Sequence, residues 1–196
     1  MRVFVTGASG WVGSAVVPEL IAAGHEVTGL ARSDASADAL TAAGARVRRG
    51  SLDDIDSLRA GAADADGVIH LAFKHDFGDF AAAGAADLNA VQAMGDVLAG
   101  SGRPLVTASG TLVLAMIAPG RPGTEDIVAY VGDGANRWPA VHRLDAARLF
   151  RLALEKAPAG SVLHAAGDPG IPFTEIADAI GGQLGHYFAA GPRSKY

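Results

Sequence analysis

The chain has 196 residues, 49% hydrophobic and 19% charged, enough for one buried core and too apolar for a disordered segment. Its net charge of −5 argues against a nucleic acid or an anionic membrane as partner, and no apolar run approaches the ~20 residues that cross a bilayer. It has no cysteine, so disulfides, thiolate metal sites and cysteine nucleophiles are excluded, which fits a cytoplasmic location.

The first element is Arg2-Val3-Phe4-Val5-Thr6, apolar, β-branched and too short for a helix. It breaks into Gly7-Ala8-Ser9-Gly10-Trp11-Val12-Gly13, and an apolar run with helical spacing follows over 14–23, stopped by Gly24. Strand, glycine turn and helix together present backbone N–H groups to a phosphate, with the positive end of the helix dipole behind them. Gly7 permits the tight exit from the strand. Gly10 admits a pyrophosphate where a Cβ would stand, and Gly13 lets helix and strand pack closely.

The run Thr6-Gly7-Ala8-Ser9-Gly10-Trp11-Val12-Gly13 has the spacing T-G-x-x-G-x-x-G. It resembles the short-chain dehydrogenase/reductase superfamily, and most of all its extended and atypical branch, the NAD(P)-dependent epimerase/dehydratase group. The resemblance runs to about residue 184. It implies a Rossmann-like, doubly wound parallel sheet of order 3-2-1-4-5, with a further strand from the carboxyl-terminal third. It also implies a nicotinamide dinucleotide held by Gly7, Ser9, Gly10, Trp11, Val12 and Gly13, with a small-molecule substrate beside it.

The second strand, 25–30, decides the cofactor. An NAD site places an acid near its end to bond the ribose 2′-OH. Here the sequence is Ala31-Arg32-Ser33. A guanidinium in place of an acid suits a 2′-phosphate, so NADP is expected over NAD, with Arg32 and Ser33 as contacts. Ser33 or Asp34 can also cap a helix reaching residue 43. A half-exposed strand follows over 45–50. In the resembled family an acid directly after it contacts the adenine amino group; here Ser51 and Leu52 take that place. Asp53 or Asp54 is expected to cap the helix 55–60.

The fourth strand, 67–73, is continuously apolar, as a strand buried on both faces should be. His70-Leu71-Ala72 resembles the family's strand-end motif along the adenine ribose, which puts Leu71, Ala72 and Phe73 at the cofactor. His70 itself reads as a satisfied core histidine, and Lys74, His75 and Asp76 as a solvated loop. A long Ala-rich helix covers 80–99, with Met94 in its core face. The fifth strand and its exit span 105–111. In the family a hydroxyl there positions the substrate carbonyl or hydroxyl. Ser109 matches best and Thr111 second, and either can donate to a developing oxyanion or cap the turn.

The superfamily's catalytic pair, Tyr-x-x-x-Lys, is absent. Gly134 stands four residues after Tyr130, Gly191 four after Tyr187, and Tyr196 ends the chain. Further on, 127–131 reads as a strand. The segment from Trp138 to Asp145 resembles the family's lead into a late helix, with Asp145 capping 146–156. A last parallel strand is expected over 161–165 and a helix capped by Thr174 up to about 184.

One NAD(P)-binding domain over 1–196 is expected, with a nucleotide-binding core at 1–118 and an abbreviated remainder at 119–196. The interval 119–137 is too short for the helix plus crossover strand that longer family members carry, since a parallel connection takes roughly a dozen residues. Segments near Asp126–Ile127 and Gly185–His186 are therefore expected to be missing relative to those members. The leading functional expectation is an NADP-dependent oxidoreductase or epimerase of the extended type, acting on a small carbonyl, hydroxyl or sugar-nucleotide-like compound. The competing one is a non-catalytic NAD(P)-binding sensor or regulator. A homodimer is compatible with either.

Overall fold

The structure is a computed structural model and describes residues 1–75, 79–109, 127–131, 135–176, 178 and 187–191. It divides into two compact units, one of residues 1–109 with 143–163 and one of residues 110–142 with 164–196.

The first unit is built on five parallel strands, β1 (Arg2–Thr6), β2 (Glu26–Ala31), β3 (Arg46–Arg49), β4 (Gly67–His70) and β5 (Leu105–Thr107), in the order β3-β2-β1-β4-β5. This is the expected Rossmann-like order, with β1 at the centre. Its helices are α1 (Gly13–Ala22), α2 (Asp34–Ala42), α3 (Ile55–Ala63), α4 (Phe80–Leu98) and α5 (Arg143–Lys156).

Strand side chains alternate between two apolar layers. Val3, Val5, Val27 and Ile69 pack with Val16, Val17 and Leu20 of α1, Leu40 of α2 and Leu154 of α5. Phe4, Leu30 and Val68 pack with Leu58 and Ala62 of α3 and Met94 and Leu98 of α4. Both faces are covered at β1 and β4, whose interior positions are accordingly apolar, whereas the outer strand β3 carries three arginines. Phe4 is fully buried, and a Cβ on Gly61 would come within 2.5 Å of its ring.

Side-chain caps fix three of the helix starts. The Ser33 hydroxyl accepts from the Ser36 N–H, the Asp54 carboxylate from the Ser57 N–H, and the Asp79 carboxylate from the Ala82 N–H. Helix α5 begins at Arg143, so Asp145 lies in its first turn instead of capping it, where its charge still favours the helix dipole. One network ties α5 to α1 and to the start of β2. Arg151 Nε donates to Glu19 at 2.8 Å and its Nη1 to Glu155 at 2.9 Å, while His25 Nε2 lies 2.9 Å from Glu155. The His25 hydrogen bond, followed by Arg151, holds the Glu155 carboxyl below the usual carboxylate range against the opposing effect of burial.

The second unit contains β6 (Ile127–Val131), paired in parallel with β9 (Tyr187–Gly191), and β7 (Arg137–Ala140), paired antiparallel with β8 (Asp168–Pro172). The strand expected at 161–165 is not there: those residues form no ladder, and Val162 is 82% exposed. Strand propensity yields to pairing. The partner of β7 is β8 instead, fixed by Arg137 Nη1 on the Gly170 carbonyl at 2.7 Å and by the Trp138 ring edge-on to Phe173 at 5.6 Å. Residues 173–176 are helical, so Thr174 sits inside the turn instead of capping it. The proposed junctions at Asp126 and at Gly185–His186 lie outside the described residues, as does the rest of the helix expected up to 184.

At the amino edge of the sheet, Arg2 Nη2 donates to Asp66 at 2.7 Å and the Arg2 backbone N–H donates to the same carboxylate at 2.8 Å. These two bonds pull the Asp66 pKa from 3.8 down to about 2. A depressed carboxylate stabilises the fold above its unfolded pKa of ~4 and loses that contribution as pH falls toward 2. Asp66→Asn is therefore expected to flatten the acid-unfolding curve between pH ~4 and ~2, with no added loss at lower pH. An unchanged slope in an acid titration followed by circular dichroism would count against this.

Candidate functional site

The site is the carboxyl edge of β1, β2 and β4, where an open α/β sheet leaves a crevice. At the end of β1 the chain turns through Gly7, whose φ is +64°. A Cβ there would stand 2.7 Å from the Ala72 nitrogen and from the Leu71 carbonyl carbon, so only glycine lets the turn lie against the chain leaving β4. The turn closes with the Gly10 N–H on the Gly7 carbonyl at 3.0 Å. A Cβ on Gly13 would stand 2.1 Å from that same carbonyl, which makes Gly13 a packing requirement of the start of α1.

Gly10 differs from these two. Among the described residues, its chain neighbours aside, a Cβ there would meet the Gly7 carbonyl at 3.2 Å and no other atom within 4 Å. The protein itself gives little reason for this glycine; a ligand approaching the backbone does. No side chain caps α1, and its first turn holds no acid. Among the described residues, the N–H groups of Trp11, Val12 and Gly13 donate to no protein acceptor. Ser9 is exposed at the rim of the turn. These are the features of an anion cradle at a helix N-terminus.

Beneath the turn lies a buried polar relay. His70 is 1% exposed and Thr6 fully buried. His70 Nδ1 lies 2.7 Å from the Thr6 hydroxyl, and its Nε2 lies 3.0 Å from Asp87 on α4. The Ala72 N–H donates to the Thr6 hydroxyl oxygen at 3.4 Å. The Asp87 carboxylate can only accept, so Nε2 donates to it, and in the neutral ring Nδ1 then accepts from the Thr6 hydroxyl. His70 is thus the satisfied core histidine the sequence suggests, and it fastens the ends of β1 and β4 to α4.

Around the cradle, Arg32 is exposed directly after β2 and makes no hydrogen bond or ion pair among the described residues. Its neighbour Ser33 is the cap of α2, so its hydroxyl is already committed to the Ser36 N–H. Arg49, at the end of β3, pairs with Asp34. Ser51 accepts from the Asp53 N–H at 3.2 Å in a local turn, and Leu52 is buried against the α3–α4 layer. Lys74 Nζ reaches Asp53 at 2.5 Å. Leu71 and Ala72 follow β4 half-buried; Phe73 lies edge-on to His75 at 5.7 Å and tilted against Phe80 at 5.8 Å. Strand β5 ends at Thr107, four residues short of the expected exit, and Ser109 is exposed two residues beyond it. Thr111 lies outside the described residues.

The structure thus gathers the glycine turn, Leu71 and Ala72 at one edge. It also brings in a residue that the motif does not announce. Arg143, the first residue of α5, stacks over the Trp11 ring with its Cζ 4.5 Å from the centroid. No spacing rule links residue 143 to residue 11, so only the packing of α5 on α1 reveals the pair.

Sheet order, glycine turn and open cradle define a Rossmann-like α/β protein with an anion cradle at the end of its first strand. The chain belongs to the NAD dependent epimerase/dehydratase family, whose model matches residues 3–96. It is 40% identical over 240 residues to the uncharacterized protein C2A9.02 of Schizosaccharomyces pombe, covering 94% of this chain and 81% of that one. A match 240 positions long against 196 residues means that the relative carries residues with no counterpart here.

Among solved structures it is similar in fold to DesIV, the dTDP-glucose 4,6-dehydratase of Streptomyces venezuelae with NAD and DAU bound. The TM-score is 0.72 and the identity 20%, over 100% of this chain and 85% of that one. It is also similar to the NADPH-dependent quinone oxidoreductase QOR2 of Escherichia coli, with TM-score 0.63 and identity 21% over 98% and 78%. Likeness at these identities is one of fold.

Proposed function

We propose that the protein is an NADP-dependent oxidoreductase or epimerase of the extended short-chain dehydrogenase type, acting on a small carbonyl, hydroxyl or sugar-nucleotide-like compound. The observation that carries this reading is the open cradle at Gly10–Gly13 with Arg32, unpaired among the described residues, at the adjoining strand end. The bound dinucleotide supplies a hydride-transferring nicotinamide. The chain's share is to hold it. The Trp11, Val12 and Gly13 N–H groups would hold the pyrophosphate, Arg32 the 2′-phosphate, and Leu71, Ala72 and Phe73 the adenosine side. Ser109 and Thr111 are the proposed hydroxyl donors to the substrate oxygen. The solved relatives bring both cofactors, NAD in one and NADPH in the other, so the preference for NADP rests on Arg32 alone.

Arg32→Glu is expected to weaken NADPH binding by roughly 1.5–3 kcal/mol or more, because it opposes a carboxylate to the 2′-phosphate, and to leave NADH nearly untouched. Titration calorimetry with both cofactors checks this; equal affinities that the substitution leaves unmoved would sink the NADP reading. A second reading, a dinucleotide-binding sensor without turnover, is favoured by the missing Tyr-x-x-x-Lys pair. Steady-state assays on aldehydes, ketones and sugar nucleotides separate the two, since a sensor binds cofactor and turns over none of them.

A further inference from the structure

We propose that Arg143 is a positioning residue for the dinucleotide, acting through the Trp11 peptide; this rests on the dinucleotide reading above. Arg143, the first residue of α5, is half-buried as a residue. Arg143 Nη1 donates to the Trp11 carbonyl at 3.3 Å and lies 3.1 Å from the Ser14 hydroxyl oxygen. The Ser14 hydroxyl donates to the same Trp11 carbonyl at 3.1 Å. Trp11 is 77% exposed, so apolar burial does not hold its indole in place. A guanidinium stacked 4.5 Å from the ring centroid does.

The consequence follows from peptide geometry. In a trans peptide the C=O and the next N–H point in opposite directions. Two donors on the Trp11 carbonyl fix that plane, and so direct the Val12 N–H the other way. Among the described residues the Val12 N–H has no acceptor, as a group reserved for a phosphate oxygen requires. Arg143 thereby sets the aim of one cradle donor without itself touching the ligand. The pyrophosphate is common to NAD and NADP, so this effect is blind to the 2′-phosphate that Arg32 is proposed to read.

The test compares wild type, Arg143→Met, Arg143→Lys and Ser14→Ala for NADPH and NADH affinity by calorimetry, with thermal unfolding of each protein without ligand. Arg143→Met is expected to lower both affinities by the same factor, roughly tenfold. Lysine should not restore them, because it lacks the flat fork that stacks and donates at once. Ser14→Ala, at an exposed position, should lower both by a smaller common factor and guards against a misfolded Arg143 variant. In a Trp138→Phe background, emission then reports Trp11 alone and should change on Arg143→Met. Unchanged affinities with a lowered melting temperature would make Arg143 a mere anchor of α5 and overturn the proposal. Loss for NADPH alone would make it a 2′-phosphate ligand and overturn it as well. A wild-type protein that binds neither dinucleotide would instead remove the dinucleotide reading, and this inference with it.

Discussion

Gly10→Val is expected to reduce dinucleotide affinity by at least ~100-fold while leaving the free protein folded. Among the described residues, its chain neighbours aside, a Cβ on Gly10 would meet only the Gly7 carbonyl, at 3.2 Å. The same side chain would occupy the space of the pyrophosphate. Gly13 supplies the control. A Cβ there would stand 2.1 Å from the Gly7 carbonyl and 2.6 Å from that of Ala8, so Gly13→Val should destabilise the fold itself, by roughly 3 kcal/mol. Calorimetry with NADPH and thermal unfolding of both variants check the contrast. A Gly10→Val protein that keeps full affinity, or one that unfolds as Gly13→Val does, would contradict the assignment of Gly10 to the ligand.

Arg103→Met should cost about 3 kcal/mol of stability without changing cofactor preference. Helix α3 has no basic residue in its last turn, so its terminal carbonyls lack a local partner. Arg103, from the connection between α4 and β5, provides one. Its Nη1 donates to the carbonyls of Ala62 at 3.0 Å, Ala63 at 3.2 Å and Ala65 at 2.7 Å. Its Nη2 donates to the Val97 carbonyl of α4 at 3.1 Å, and its Nε to the Ser101 hydroxyl at 3.1 Å. One planar fork thus closes the ends of two helices that share the Phe4 layer. Met replaces the stem but leaves these carbonyls under-satisfied in a partly buried place. The melting temperature should fall by roughly 6–12 °C, since 1 kcal/mol moves a chain of this size by ~2–4 °C. Lysine, a point charge without the fork, should recover only part. A drop under ~2 °C for Arg103→Met would mean that water replaces the guanidinium at no cost.

What the sequence made legible follows from local physics. The glycine turn and the positions of β1 to β4 along the chain depend on apolar runs and turn residues close together in sequence, whereas the order of the strands in the sheet is implied by the family resemblance. Ser33 and Asp54 are caps because a short oxygen side chain stands just before a helical run. The failures are of two kinds. Ser161 to Ala165 has the composition of a strand, but composition does not say whether a partner edge is available, and β7 pairs with residues 168–172 instead. Asp145 reads as a cap on identity alone, while α5 starts at Arg143, two residues earlier.

The contacts that organise the site were not legible at all. Thr6 with His70, His70 with Asp87, and Trp11 with Arg143 join residues 64, 17 and 132 positions apart, and no periodicity encodes them. His70 was readable as buried, yet its partners were not. The exposed Trp11 was the one available signal for Arg143, since an indole in a turn asks what covers it.

The most direct measurement is a crystal structure of the protein grown with NADPH. The account predicts the pyrophosphate against the N–H groups of Trp11, Val12 and Gly13, within hydrogen-bond reach, and the 2′-phosphate on the Arg32 guanidinium. Dinucleotide density at another edge of the sheet would contradict it, as would a pyrophosphate at the cradle with the 2′-phosphate turned away from Arg32.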